Sequence, residues 1–166
     1  DWTLSRGLGD VYKRQEEKLA LAQQGGWELV FLGDSITHGW EGNGKSTWDK
    51  YYGARKAINL GFGGDRTEHV LWRLEHGEFD GYEPHVAVIM IGTNNTGHDM
   101  HPPEAIAAGI KKIVATIQNK SPNTKILLLG IFPRGATTDD PKRVNNDNTN
   151  ALLSTMADGK RIFFLN

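Results

Sequence analysis

Four short apolar runs, each stopping at a glycine, constrain this chain more than any other feature. Glu28-Leu-Val-Phe-Leu32 ends at Gly33 and Ala57-Ile-Asn-Leu60 runs into Gly61-Phe-Gly-Gly64. Val86-Ala-Val-Ile-Met-Ile91 ends at Gly92, and Lys125-Ile-Leu-Leu-Leu129 ends at Gly130-Ile-Phe-Pro133. Runs this short and this continuously apolar suit strands buried on both faces. Helical patterns lie between them. Residues 16–24 are rich in good helix formers and Gly25-Gly26 stops them. Asp65-Arg-Thr-Glu68 predicts a capping box with Asp65 as the cap, followed by a stripe of Val70, Leu71 and Leu74 and a stop at Gly77. His101-Pro-Pro-Glu104 opens the clearest helix, in which Ile106, Ile110, Ile113, Val114 and Ile117 recur on one face. Asp139-Asp140-Pro141 predicts a further helix to about Met156, and Arg161-Ile-Phe-Phe-Leu165 a fifth strand. Strands alternating with helices require right-handed crossovers, which place helices on both faces of a parallel sheet. The predicted class is α/β, a three-layer α/β/α sandwich with about five parallel strands.

At 166 residues the chain is the size of one domain with a substantial core. Its 19 basic and 20 acidic side chains leave a formal charge of −1, so no positive field favours nucleic acid or an anionic bilayer. No apolar run approaches the roughly 18 to 20 residues of a membrane span, and no charged-then-apolar opening resembles a signal peptide. The absence of cysteine excludes disulfides, thiolate catalysis and cysteine zinc sites while fitting either redox compartment, so localisation stays open. Residues 1–15 carry no clear period and begin at Asp1. They read as a disordered or non-native lead-in, with an ordinary frayed terminus as the equal alternative, and the domain proper spans residues 16–166.

Ligands of such sheets bind beyond the carboxyl ends of the strands, near the switch in strand order. That rule selects Gly33-Asp-Ser35, Gly61-Phe-Gly-Gly-Asp65 and Gly92-Thr-Asn-Asn95. Acyl transfer needs a nucleophile, a base and donors aimed at the developing oxyanion. Ser35 sits just after a strand exit, where its hydroxyl projects and its own N–H is available as a donor. Gly64 offers an N–H without an obstructing Cβ, and Asn94 an uncharged side-chain amide. Each has a plainer reading: Asp and Ser are frequent turn formers, paired glycines permit tight turns, and loop asparagines pair with backbone. Their joint placement after three successive strands favours chemistry.

These residues carry a family resemblance. Gly33-Asp-Ser35, Gly64 and Gly92-Thr-Asn94 resemble, in order, three sequence blocks of the SGNH hydrolases, the GDSL esterase/lipase group. The strings NLGFGGDRTEHVLWRLEHGE, GTNN and LLGIFPRG are similar to the branch that contains the platelet-activating-factor acetylhydrolase catalytic subunits. The resemblance covers roughly residues 16–166. It implies a flavodoxin-like sandwich, Ser35 as nucleophile, and an oxyanion hole from the Ser35 N–H, the Gly64 N–H and the Asn94 amide. It also implies hydrolysis of a small-molecule ester, often of a small acyl group such as acetyl, with no metal or organic cofactor. A homodimer is left open.

The family carries its catalytic Asp and His as Asp-x-x-His after the fifth strand, and this sequence contains no Asp-x-x-His. Together with the expectation of a last helix over strand five, this reads as a C-terminal truncation that leaves the fragment nearly inactive. His38 is too near Ser35 in sequence to serve readily as its base. His98 and His101, on an expected loop, read as solvated rather than zinc-binding. His69 and His76 ride the helix after Gly64, and His85 lies at the opposite sheet edge. The competing function is a non-catalytic flavodoxin-like domain binding a phosphate or nucleotide. Its support is poor: Gly61-x-Gly-Gly64 is not a dinucleotide fingerprint, and Gly44-Lys-Ser46 reads as a surface loop or a helix start. Trp40, Trp48 and Tyr51 either line an acyl or sugar pocket or simply pack, and Arg134 either meets a substrate anion or is solvated or ion-paired.

Overall fold

The computed structural model describes residues 8–166, and the first seven residues of the expected lead-in lie outside it. Its chain order is α1 (Leu8–Gln23), β1 (Leu29–Gly33), α2 (Ser35–His38), α3 (Lys45–Tyr51), β2 (Ala57–Gly61), α4 (Thr67–Arg73), β3 (Val86–Met90), α5 (Thr93–Asp99), α6 (Pro103–Lys120), β4 (Lys125–Leu129), α7 (Pro141–Ser154) and β5 (Ile162–Leu165). The five strands form one sheet of order β2-β1-β3-β4-β5 with every pairing parallel. The order reverses beside β1, where the chain leaves toward β2 on one side and returns to β3 on the other. The expected switch point therefore falls between the loops that follow β1, β2 and β3.

Alternation of side chains divides the sheet into two unlike faces. Val30, Leu32, Ile58, Leu60, Ala87, Ile89, Ile126 and Leu128 point to one face and pack in a single core with Val70 and Leu74, with the isoleucines of α6 and with Leu153 of α7. The stripe on α6 is the one expected from its period, since Ile106, Ile110, Ile113, Val114 and Ile117 are all buried. On the other face the β1-to-β2 crossover lays Trp40, Trp48 and Tyr52 against Phe31, with ring centroids 5.0 to 6.4 Å apart. Toward β5 this face is open: Phe163 is 36% exposed and Leu165 58%. The parallel sheet is as expected, with the helices distributed unevenly between its two faces.

Some local expectations shift. Helix α1 includes residues 8–15, where no period is visible in the sequence, and Arg14 donates to the Gly61 carbonyl at 2.6 Å. The short helix α3 starts at Lys45 after Gly44, so Gly44-Lys-Ser46 is a helix start, with Lys45 paired to Asp49 at 2.9 Å. Asp65 is not the cap of the following helix. That helix begins at Thr67 with Arg66 at the cap position, and the Arg66 N–H donates to His69 Nδ1 at 2.9 Å. Asp140 does cap α7, accepting from the Lys142 N–H at 2.9 Å. Ahead of β5, Asp158 accepts from the N–H groups of Lys160, Arg161 and Ile162 at 2.8 to 2.9 Å, which holds its carboxyl at about 2.

The unequal faces predict unequal sensitivity to truncation. Ile89→Ala, in the covered core of β3, will cost about 2–5 kcal/mol, and Leu165→Ala, on the open face, no more than about 0.5 kcal/mol, as read by urea unfolding.

Candidate active site

Parallel pairing sets three strand ends level. Gly33 pairs with Gly61 on one side and Met90 on the other, so the loops carrying Ser35, Gly64 and Asn94 leave the sheet side by side. Gly33 is glycine for lack of room: a Cβ there would meet Thr37 Oγ1 at 2.2 Å and the Met90 carbonyl at 2.6 Å. The chain then turns into α2 immediately. Asp34 caps this helix, its Oδ1 accepting from the Ile36 N–H at 2.9 Å, and Ser35 is its first residue and exposed. Asp34 itself is fully buried, and burial pushes its carboxyl up to about 6.

The second loop is a turn closed by the Asp65 N–H to the Phe62 carbonyl at 3.2 Å, with Phe62 N–H held by the Gly33 carbonyl at 3.0 Å. Gly64 has φ +83°, the conformation that turns of this type reserve for glycine, and a Cβ added there would meet nothing within 4 Å. The third loop reaches the second directly, since Asn94 Nδ2 donates to the Asp65 carbonyl at 2.9 Å. Asn94 is thus tied to the residue that follows Gly64. Ser35 is tied to them through α2, because the Gly63 N–H donates to His38 Nδ1 at 3.3 Å.

Beside Ser35 lies a cavity of about 600 Å³ with mainly apolar walls, including Ile36, Trp40, Tyr52, Met90 and Leu129. Trp40 and Tyr52 line it, Trp48 packs behind them, and Tyr51 points outward. Tyr52 is the aromatic that sequence reasoning missed, since its neighbour Tyr51 occupies an equally plausible place in the same run. Arg134, half-buried, donates to the Thr93 carbonyl at 3.0 Å and its guanidinium lies over Gly97, so it braces the third loop.

The histidines are engaged in distinct ways. His38 Nδ1 accepts from backbone, so in the neutral ring the proton sits on Nε2, the reverse of what a base for Ser35 needs. His69 accepts from Arg66, His76 stacks on Trp72 at 3.9 Å, and His85 immediately precedes β3 at the other end of the strands. His98 lies in the last turn of α5 rather than on a loop, and His101 Nδ1 is 3.2 Å from Asn95 Nδ2. Among the described residues no group of three His, Asp or Glu side chains is arranged to hold a metal ion, and no helix is long and apolar enough to cross a membrane.

The GDSL-like lipase/acylhydrolase family matches residues 31–166, and the chain belongs to that family, within the SGNH hydrolase superfamily. It is 38% identical over 142 residues to platelet-activating factor acetylhydrolase IB subunit alpha1 of Homo sapiens, covering 83% of this chain and 58% of that protein. Against subunit alpha2 of Rattus norvegicus it is 39% identical over 126 residues, covering 76% and 52%. The chain therefore spans a little over half the length of these relatives. Among solved structures it superposes on a Streptococcus pneumonia protein described as a candidate platelet activating factor with TM-score 0.73 at 23% identity, over 95% of this chain and 74% of that one. An acetylxylan esterase from Geobacillus stearothermophilus gives TM-score 0.67 at 19% identity, over 86% and 76%, a likeness of fold.

Behind the second loop, Glu78 is 1% exposed and neither carboxylate oxygen accepts a hydrogen bond among the described residues. Burial raises its carboxyl from the usual 4.5 to about 7, a shift that the nearby Arg73 charge only partly opposes. The unfolded chain ionises this group near 4.5 while the folded chain keeps the proton, so the folded state binds more protons between those values. Its contribution to stability is therefore lost as pH rises from about 4.5 to 7, by roughly 3 kcal/mol, and is level above. Glu78→Gln will remove that slope and stabilise the protein at pH 8, as read by denaturant unfolding at several pH values.

Proposed function

We propose that the protein is a serine ester hydrolase acting through an acyl-enzyme on Ser35, with the Ser35 N–H, the Gly64 N–H and the Asn94 side-chain amide as oxyanion hole. The observation that carries this reading is the 2.9 Å bond from Asn94 Nδ2 to the Asp65 carbonyl. It ties the third loop to the residue that follows Gly64, beyond the level end of β1, which supports a shared role for these two uncharged donors. Such donors stabilise charge that develops only in the transition state, and each is worth roughly 10² to 10³ in turnover.

In the reaction, Ser35 Oγ attacks the ester carbonyl carbon and loses its proton to a base. The carbonyl π electrons move onto oxygen, which the donors hold. Collapse breaks the bond to the alkoxy group, which leaves as the alcohol after taking a proton. Water then attacks the acyl-Ser35 ester and returns Oγ–H while the carboxylic acid departs. Acetyl esters are the favoured substrates, because the related proteins are named as acetylhydrolases and an acetylxylan esterase shares the fold. The apolar cavity beside Ser35 suits the acyl side or an apolar leaving group.

The sequence holds no Asp-x-x-His, and His38 offers Nδ1 to backbone rather than to Ser35. In a well-studied serine protease, loss of the histidine alone cost about 10⁶ in turnover. The 166-residue chain is accordingly expected to be nearly inactive, turning over 4-nitrophenyl acetate at most about 10³ to 10⁴ faster than water does. Any residual rate will fall further in Ser35→Ala. Rapid turnover that survives Ser35→Ala contradicts the role of Ser35, and rapid turnover abolished by it contradicts the absence of a base.

A further inference from the structure

The turn that presents Gly64 is fixed by a single residue. Every polar group of Asp65 is used. Its N–H closes the turn on Phe62, its carbonyl accepts from Asn94 Nδ2, and its carboxylate takes a two-point fork from Arg73, Nε to Oδ2 at 2.9 Å and Nη2 to Oδ1 at 3.2 Å. Both partners are buried, Asp65 to 5% exposure and Arg73 to 7%. Arg73 comes from the last turn of α4, and its guanidinium lies 3.6 Å from the centre of the Phe62 ring, the residue that opens the same turn. The fork and the ring together clamp the turn between its first and fourth residues. A lysine has the charge but not the planar fork, so it would hold Asp65 at one point only.

A buried ion pair is weak evidence of stability, because apolar residues of similar size often replace one without loss. What it does specify is position. We infer that Asp65 and Arg73 are positioning residues: their buried fork holds the Phe62-to-Asp65 turn so that the Gly64 N–H and the Asn94 amide are directed at the same oxyanion. The inference rests on the esterase reading for its purpose, but the geometry it asserts is measurable separately. Neither residue touches the substrate. Asp65 acts through its own backbone on Gly64 and Asn94, and Arg73 acts through Asp65.

The test is a set of variants of the whole chain, Arg73→Lys, Arg73→Met and the charge-free double variant Asp65→Asn/Arg73→Met. Two readouts are taken. One is the ¹H–¹⁵N spectrum at the Gly64 backbone N–H and the Asn94 side-chain NH₂. The other is the rate at which a fluorophosphonate phosphonylates Ser35, separated into its saturating rate and its half-saturating concentration. In a double variant that keeps the signals of α6 and α7, both site resonances will move or broaden. The saturating rate will fall by about 10² to 10³ with half-saturation little changed, as loss of oxyanion donors predicts. Arg73→Lys will recover part of that rate, and Arg73→Met will resemble the double variant because the two residues act as a unit. Where the double variant does not fold, Arg73→Lys is read in the same way. Unmoved Gly64 and Asn94 resonances in a folded variant overturn the inference. Where the wild-type Ser35 is labelled too slowly to measure, as the lack of a base in this chain predicts, the Gly64 and Asn94 resonances alone decide the positioning, and labelling at a residue other than Ser35 counts against the esterase reading.

Discussion

The level ending of three parallel strands governs what this molecule is able to do. Gly33 stands between Gly61 and Met90 in the register, and the space around it is too small for a methyl group. The chain must therefore turn off the sheet at once, which places Ser35 at the start of a short helix capped by Asp34. Because β2 and β3 end at the same height on either side, their loops have one shared region to occupy. The contacts there follow: Gly63 to His38, Asn94 to Asp65, and Asp65 to Arg73. Sheet register brings the loops together, and these contacts then fix them against one another.

The two faces of the sheet serve that edge differently. Helices α4, α6 and α7 bury one face in a continuous aliphatic core, a rigid support against which strand ends hold their height. The other face carries the aromatic group around Phe31, next to Ser35, and grows more exposed toward β5. Buried charge concentrates behind the second loop, where Asp65, Arg73 and Glu78 lie in or against the core. Groups of this kind are costly to bury and seldom improve stability, so their presence beside the Gly64 turn points to a demand for position.

Much of the fold was legible in the sequence because the signals were local. Continuous apolar runs closed by glycine mark central parallel strands, and the spacing of Ile106 through Ile117 marks a helix with one buried face. The candidate site was legible to the extent that chain order and strand ends dictate it, and the family to which the chain belongs was visible in the same blocks. Long-range choices were not legible. Asp65 reads locally as a helix cap, but a cationic partner eight residues on draws its carboxylate inward and the helix starts two residues later. His98 lies within a helix that its Gly-His-Asp surroundings disguise as a loop. Tyr51 and Tyr52 are indistinguishable until the crossover is folded and one turns toward Phe31.

The most direct measurement is a crystal structure of the chain after exhaustive reaction with a small alkyl fluorophosphonate, whose phosphoryl oxygen mimics the oxyanion. The adduct is predicted on Ser35 Oγ, with that oxygen about 2.7–3.1 Å from Gly64 N and from Asn94 Nδ2. An adduct on another residue, or a phosphoryl oxygen directed away from both donors, would contradict the assignment of this edge as an ester hydrolase site.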